Sequence, residues 1–228
     1  MLDFTLGLAL YNFVPVMLTG VALWFLIRFV HDLDAPHDGL ARLGGVLILA
    51  GGLSKATWKL IAATTGADLG WLAGALFPLM APGFALLAVA IWSATRRLRG
   101  RSPPGGWRIA LLAVLLVFGL AAVRQWLLDI PRGWFLPLLA LASLANLGAS
   151  LLLMQAAIIL HRWWIALLFA INLAMIFALQ PIAMASPKTL ALHWLEQTLT
   201  ALGTGCFALA AYWLWRTVKC RSDRPTAA

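Results

Sequence analysis

The chain has 228 residues, of which 63% are hydrophobic and only 11% are charged. Soluble globular proteins carry about 25% charged residues, so this composition excludes an ordinary soluble domain. The formal net charge of +9 would suit nucleic-acid binding, but the basic residues border apolar segments instead of forming a folded basic face, so we predict no nucleic-acid partner.

Apolar runs that can cross a hydrocarbon core of about 30 Å recur along the whole chain, separated by proline, glycine and charged residues. The first run has no basic segment before it and no obvious cleavage site after it, so we expect it to be retained as a helix. No stretch between the runs is long enough for a soluble domain. We therefore predict an all-α polytopic membrane protein with a single transmembrane domain over residues 1–228. The seven predicted helices cover approximately residues 4–30, 40–65, 70–96, 107–129, 133–160, 163–185 and 189–216.

The distribution of basic residues predicts the orientation of this seven-transmembrane-helix bundle. Cytoplasmic loops of membrane proteins are enriched in Lys and Arg. With the N-terminus outside and the C-terminus cytoplasmic, only Arg132 and Lys188 fall on the outer side. Twelve basic residues then fall on the cytoplasmic side, namely Arg28, Arg42, Arg96, Arg97, Arg99, Arg101, Arg108, Arg162, Arg216, Lys219, Arg221 and Arg224.

Two lysines lie inside the second predicted helix. Lys55 and Lys59 are one helical turn apart, and Trp58 shares their face, close enough for a cation–π contact with Lys55. A lysine near the middle of a membrane costs about 2.5–3.5 kcal/mol on insertion scales, so it needs a partner, a water path or an escape to the interface. Snorkelling of both side chains to the outer headgroups is the structural alternative to a binding role.

The last predicted helix carries a polar stripe that descends from its outer end. The stripe residues fall within about 60° of one direction at 100° per residue, and they are His193, Glu196, Gln197, Thr200 and Thr204. Glu196 is the only glutamate in the chain, which makes it the natural counter-charge for Lys55 or Lys59. The pair either locks two helices together or forms the wall of a binding site.

Further polar residues share this depth. Arg124 lies about one turn from the outer end of the fourth predicted helix, and Asn12 lies on the first. Asn146 and Asn172 are interpreted as interhelical hydrogen-bonding residues, the commoner role of single amides in membranes. We predict an outward-facing polar cavity whose ligand-binding residues are Asn12, Lys55, Trp58, Lys59, Arg124, His193, Glu196 and Gln197.

An excess of cations in this cavity favours an anionic group, such as a carboxylate or a phosphate. The predicted function is binding or transport of an anionic or amphiphilic small molecule, with proton coupling as one variant. One alternative is a membrane-embedded enzyme that acts on a lipid-like substrate, with His193 and Glu196 as an acid–base pair. Another is an accessory subunit of a larger membrane complex.

The remaining predictions concern cofactors, partners and location. The segment from His31 to Asp38 has a metal-like composition, but it lies beside proline and glycine and is interpreted as a solvated loop. We predict no metal and no cofactor. The expected partners are membrane lipid and the small ligand, and a homo-oligomer or a partner in a membrane complex is left open. The expected location is a bacterial cytoplasmic (inner) membrane.

Overall fold

The computed structural model describes residues 5–102, 106–184 and 190–222. Within these ranges all regular structure is helical and no strand is present, which confirms the prediction of an all-α protein. The helices are α1 (Leu6–Tyr11), α2 (Phe13–Asp34), α3 (Asp38–Thr65), α4 (Gly70–Gly74), α5 (Leu76–Leu98), α6 (Trp107–Ala122), α7 (Phe135–Ile159), α8 (Trp163–Met184) and α9 (Leu190–Ser222).

Five helical stretches among the described residues are long and apolar enough to cross a membrane, so the chain has the helices of an integral membrane protein. The first stretch, Leu6–Thr65, contains both α2 and α3, joined by a 3₁₀ turn at Ala35–His37. A shorter apolar helix covers Trp163–Leu179. The count of seven membrane crossings and the orientation of the termini stay predictions.

Prolines divide two of the predicted helices. Pro15 has no backbone N–H that could donate to the carbonyl of Tyr11. The helix is interrupted after Tyr11, where α1 ends, and α2 begins at Phe13. Pro78 has the same relation to Gly74, the last residue of α4. The predicted ranges 4–30 and 70–96 therefore each correspond to a short helix followed by a long one.

The predicted helix 107–129 also ends differently in the structure. The α-helix stops at Ala122, a π-helical turn follows at Val123–Leu127, and Asp129 adopts a positive φ of 52°. The predicted connection at residues 186–188, which includes Lys188, lies outside the described residues, as does Arg224.

Six long helices pack in a closed ring. Each contacts the next in the order α2, α3, α5, α7, α8 and α9, and α9 contacts α2 again. The α6 helix lies outside this ring against α5 and α7, and its exposed leucines include Leu112 and Leu116. At one end of the ring the interior is filled by fully buried apolar side chains, including Leu26, Phe29, Phe169 and Leu214.

Side-chain contacts show which helix ends lie together. Trp215 near the end of α9 contacts Asp32 near the end of α2, and Trp213 contacts Trp164 at the start of α8. Ser93 near the end of α5 contacts Asp34, the last residue of α2. We call this end of the ring the basic end, because the arginines and lysines of these helix termini are concentrated there.

Candidate functional site

A cavity of about 340 Å³ lies inside the ring, toward the end opposite the basic end. All six ring helices contribute to its lining. Its polar and charged lining residues are Asn12, Thr19, Lys55, Lys59, Asn146, Asn172, Glu196, Gln197, Thr200 and Thr204. Charged groups thus face a space between helices that are apolar in overall composition.

Lys59 is buried in the wall of this cavity. Only 7% of the residue is exposed, and its ammonium Nζ donates a hydrogen bond of 2.9 Å to Oδ1 of Asn12. Asn12 in turn donates from Nδ2 to the carbonyl of Leu8 at 2.7 Å. This asparagine lies between α1 and α2, at the break caused by Pro15, and its side chain supplies the acceptor for the buried lysine.

The polar stripe of α9 faces the same cavity. Glu196, Gln197, Thr200 and Thr204 all line it, and Gln197 is buried. The hydroxyl of Thr200 donates to the backbone carbonyl of Glu196 at 2.7 Å, and that of Thr204 donates to the carbonyl of Thr200 at 2.8 Å. These hydroxyls satisfy their donors within the helix, so their oxygen lone pairs are directed to the space beside it.

The structure brings together five of the predicted ligand-binding residues. Those that line the cavity are Asn12, Lys55, Lys59, Glu196 and Gln197. Lys55 lies on α3, one turn from Lys59. Lys55 is exposed, whereas Lys59 is buried. If the two lysines and Glu196 are all ionised, the charged lining residues carry one net positive charge.

Three of the predicted ligand-binding residues are not among the described residues that line the cavity. The indole N–H of Trp58 donates to Oδ1 of Asp68 at 2.8 Å. Arg124 lies in the π-helical turn that follows α6, outside the ring, and its Nε donates to the carbonyl of Gly133 at 3.2 Å. His193 is half-buried on α9, one turn from Glu196 toward the start of the helix.

The opposite part of the cavity is apolar. Leu23, Ile48, Leu87 and Phe207 line it there, and beyond them lies the packed core of the basic end. Asn146 and Asn172, interpreted from sequence as packing residues, also line the cavity. Their places on two predicted helices were visible in the sequence, but their direction within the ring was not.

A second polar cluster, around Asp34, was not predicted from the sequence. Asp34 is 1% exposed, its Oδ2 accepts a hydrogen bond from the Ser93 hydroxyl, and Nδ1 of His37 lies 2.8 Å from the same oxygen. Nε of Arg97 lies 3.5 Å from its other oxygen. The interpretation of this segment as a solvated loop is wrong for Asp34, because its carboxylate is buried between α2 and α5.

The neighbouring residues of that segment pair with each other. Nδ1 of His31 lies 3.2 Å from Oδ2 of Asp38, and Nη2 of Arg42 lies 2.8 Å from the same oxygen. Each histidine is therefore matched with a different carboxylate. In the described part of the chain no group of three or more His, Cys, Asp or Glu side chains is arranged to hold a metal ion.

No family model, curated protein or solved structure matches this chain. The function must therefore be inferred from the chemistry of the cavity itself.

Proposed function

We propose that this protein binds or transports an anionic or amphiphilic small molecule in the cavity of the helix ring. The observation that carries the proposal is the convergence of Lys55, Lys59 and Glu196 on one cavity between the ring helices. When all three groups are ionised, two ammonium groups and one carboxylate give these lining residues one net positive charge. A bound carboxylate or phosphate monoanion would balance this net charge.

The lining also suggests how such a ligand is oriented. The lysines and Asn12 lie toward one end of the cavity, and Leu23, Leu87 and Phe207 lie toward the other. An amphiphile would place its anionic group beside the lysines and its hydrocarbon part against the leucines and phenylalanine. The volume of about 340 Å³ lies at the lower end of the roughly 300–1,000 Å³ typical of small-molecule sites.

Orientation and membrane form part of the same proposal. We propose seven membrane crossings, an outer N-terminus and a cytoplasmic C-terminus in a bacterial cytoplasmic membrane, because basic residues concentrate at the end of the ring remote from Lys59. The cavity then lies toward the outer side. In a transport cycle, protonation of Glu196 when the anion binds and its deprotonation when the anion leaves would provide proton coupling.

The charge proposal is tested with three probes that share one hydrocarbon skeleton. 4-Phenylbutyrate, 4-phenylbutanol and 4-phenylbutylamine differ in charge but little in size. Binding to the full chain in lipid nanodiscs is measured by isothermal titration calorimetry. The carboxylate should bind most tightly, and Lys55→Met should weaken its binding about tenfold, equivalent to about 1.4 kcal/mol.

Glu196→Gln supplies the decisive comparison, because it should change affinity in the opposite direction. Removing the carboxylate raises the net charge of the lining, so binding of 4-phenylbutyrate should become stronger. Lys219→Met, at the basic end, is the matched control and should leave binding unchanged. Equal binding of the amine and the carboxylate, or weakening by both cavity variants, would contradict an anion site.

Transport is distinguished from binding by flux. Liposomes that contain the protein and entrapped 4-phenylbutyrate should release it faster than liposomes with the Lys55→Met variant. A pH gradient should change the wild-type rate if Glu196 couples proton movement, and this effect should disappear in Glu196→Gln. Tight binding without protein-dependent release would indicate that the protein is a receptor or another binding protein that does not transport its ligand.

A further inference from the structure

A second cavity, of about 590 Å³, lies at the basic end between the α7–α8 turn and the last turns of α9. Three of its lining residues are arginines: Arg162 from the turn, and Arg216 and Arg221 from α9. The described lining residues include no acidic side chain. We call this space the arginine pocket.

The arginine pocket differs from the other basic residues at this end. Arg42 and Arg97 each lie beside a carboxylate, that of Asp38 at 2.8 Å and that of Asp34 at 3.5 Å. Arg216 instead donates to the hydroxyl of Tyr212 at 3.2 Å and stacks over the ring of Trp213 at 5.2 Å. Among the described residues, the positive charge of the pocket is thus not neutralised by the protein.

Aromatic residues indicate the level of the pocket relative to the membrane. Trp164 and Trp213 line it, and their rings pack edge to face with centroids 5.6 Å apart. Trp163, beside them, is 66% exposed. Exposed tryptophans at the end of an apolar helix bundle are typical of the membrane–water interface, so the arginines lie at the level of lipid headgroups.

The backbone of the α7–α8 turn fixes the position of Arg162. His161 adopts a positive φ of 57°, its N–H bonds to the carbonyl of Ile158, and the N–H of Arg162 bonds to the carbonyl of Ala157, both at 2.9 Å. This is the Schellman arrangement that commonly ends a helix, usually with glycine at the left-handed position. It turns the chain sharply, so that Arg162 and the start of α8 face the end of α9.

We propose that the arginine pocket binds the phosphate group of an anionic ligand, carried by a lipid headgroup or free in solution. Guanidinium groups bind phosphate oxygens through paired hydrogen bonds. Basic pockets between transmembrane helices suit anionic headgroups, and the start of a helix adds backbone N–H groups without intrahelical acceptors. This site is separate from the ring cavity and does not depend on its function.

Native mass spectrometry of the delipidated full chain tests the proposal. Dioleoylphosphatidylglycerol should give more bound adduct than dioleoylphosphatidylcholine at equal concentration, because the second headgroup carries no net charge. The double variant Arg162→Gln/Arg216→Gln should lower phosphatidylglycerol binding about 10- to 30-fold. Arg99→Gln/Arg108→Gln removes the same charge outside the pocket and should leave binding unchanged. Equal losses in the two double variants, or equal binding of the two lipids by the wild type, would overturn the site.

Two further arms complete the experiment. If millimolar inorganic phosphate displaces phosphatidylglycerol from the wild type and binds in its place, the ligand is free phosphate. If phosphatidylglycerol stays bound, the ligand is the lipid. Arg162→Lys/Arg216→Lys keeps the charge but loses the paired hydrogen bonds, so it should bind phosphatidylglycerol with intermediate strength. Should the glutamine variant fail to fold, a lysine variant that does not prefer phosphatidylglycerol over phosphatidylcholine would equally overturn the proposal.

Discussion

Asp34 and Lys59 are buried charged residues toward opposite ends of the ring, and each has a polar partner. Asp34 is 1% exposed and Lys59 is 7% exposed. A buried charge is tolerated only when it is paired or hydrogen-bonded. Asp34 accepts a hydrogen bond from Ser93 and lies beside His37, and Lys59 donates to Asn12. These contacts join residues far apart in sequence, so both clusters hold separate helices together.

Asp34→Asn tests the importance of the cluster at the basic end. The amide keeps the size of the side chain but removes the charge that His37 and Arg97 face. The free energy of unfolding should fall by about 1–3 kcal/mol, because hydrogen bonds at a buried site lose a partner. Chemical unfolding in detergent, followed by near-UV circular dichroism, measures this.

Asp32→Asn is the matched control. Asp32 is exposed and accepts one hydrogen bond, from the indole of Trp215 at 3.0 Å. Its substitution should change stability by no more than about 0.5 kcal/mol. Similar losses for the two variants would show that burial of Asp34 contributes nothing specific.

At this scale the sequence could predict Lys59 but not Asp34. A lysine inside an apolar run is anomalous wherever the helix points, so it indicates a polar interior without further information. Asp34 lies beside a polar turn and resembles any solvated loop residue. Its role depends on Ser93, 59 residues away, and no local pattern shows that these residues meet.

At the scale of helices, α3 and α5 pack with their backbones in close contact. A Cβ added at Gly44 would lie 2.7 Å from the carbonyl oxygen of Gly83, and one added at Gly83 would lie 2.9 Å from that of Gly44. Gly51, one heptad after Gly44, faces the carbonyl of Leu76 in the same way. Glycines therefore allow the two backbones to touch, as is common between membrane helices.

Gly51 and Gly52 are adjacent small residues in α3, and either could permit close approach of another helix. Only Gly51 is in such a contact, since a Cβ at Gly52 would meet Val16 at an ordinary 3.4 Å. Small residues predict that some helix comes close. Which helix, and at which turn, depends on the crossing geometry of the whole ring.

Gly83→Ala tests this contact. The added methyl group would meet the backbone of Gly44 and the side chain of Ile48, both at 2.9 Å, so we expect a loss of about 1–3 kcal/mol from overpacking. Gly148→Ala is the control, because nothing lies within 4 Å of its added Cβ and alanine is the better helix former by up to about 1 kcal/mol. The melting temperature in detergent should fall for the first variant and stay equal or rise for the second. The opposite order would refute close backbone packing.

At the scale of the whole molecule, membership of the ring decides which polar residues share the cavity. Lys55, Lys59 and Glu196 belong to ring helices and Asn12 immediately precedes one, whereas Arg124 follows α6, which packs outside the ring. All five have a similar depth in the predicted helices, because depth follows from distance to the helix ends. Direction around the bundle follows only from which helices are neighbours, and α6 separates α5 from α7 in sequence but not in space.

The orientation of the ring in the membrane is the prediction at this scale. Basic residues concentrated at one end should keep that end cytoplasmic, so Cys220, exposed near the end of α9, should react with a membrane-impermeant maleimide only in inside-out vesicles. The test uses bacterial spheroplasts and inverted vesicles, with Cys206→Ala as the background so that one thiol is labelled.

Ala67→Cys, in a background from which both native cysteines have been removed, is the complementary variant. Ala67 is exposed in the turn after α3, at the other end of the ring, and its thiol should react only in spheroplasts. Reversed labelling of the two sites would place the ring cavity toward the cytoplasm and the arginine pocket in the outer leaflet. Labelling of both sites from the same side would show that the two ends of the ring do not lie on opposite sides of the membrane. It would therefore refute a ring in which α3 crosses the membrane beside the other helices.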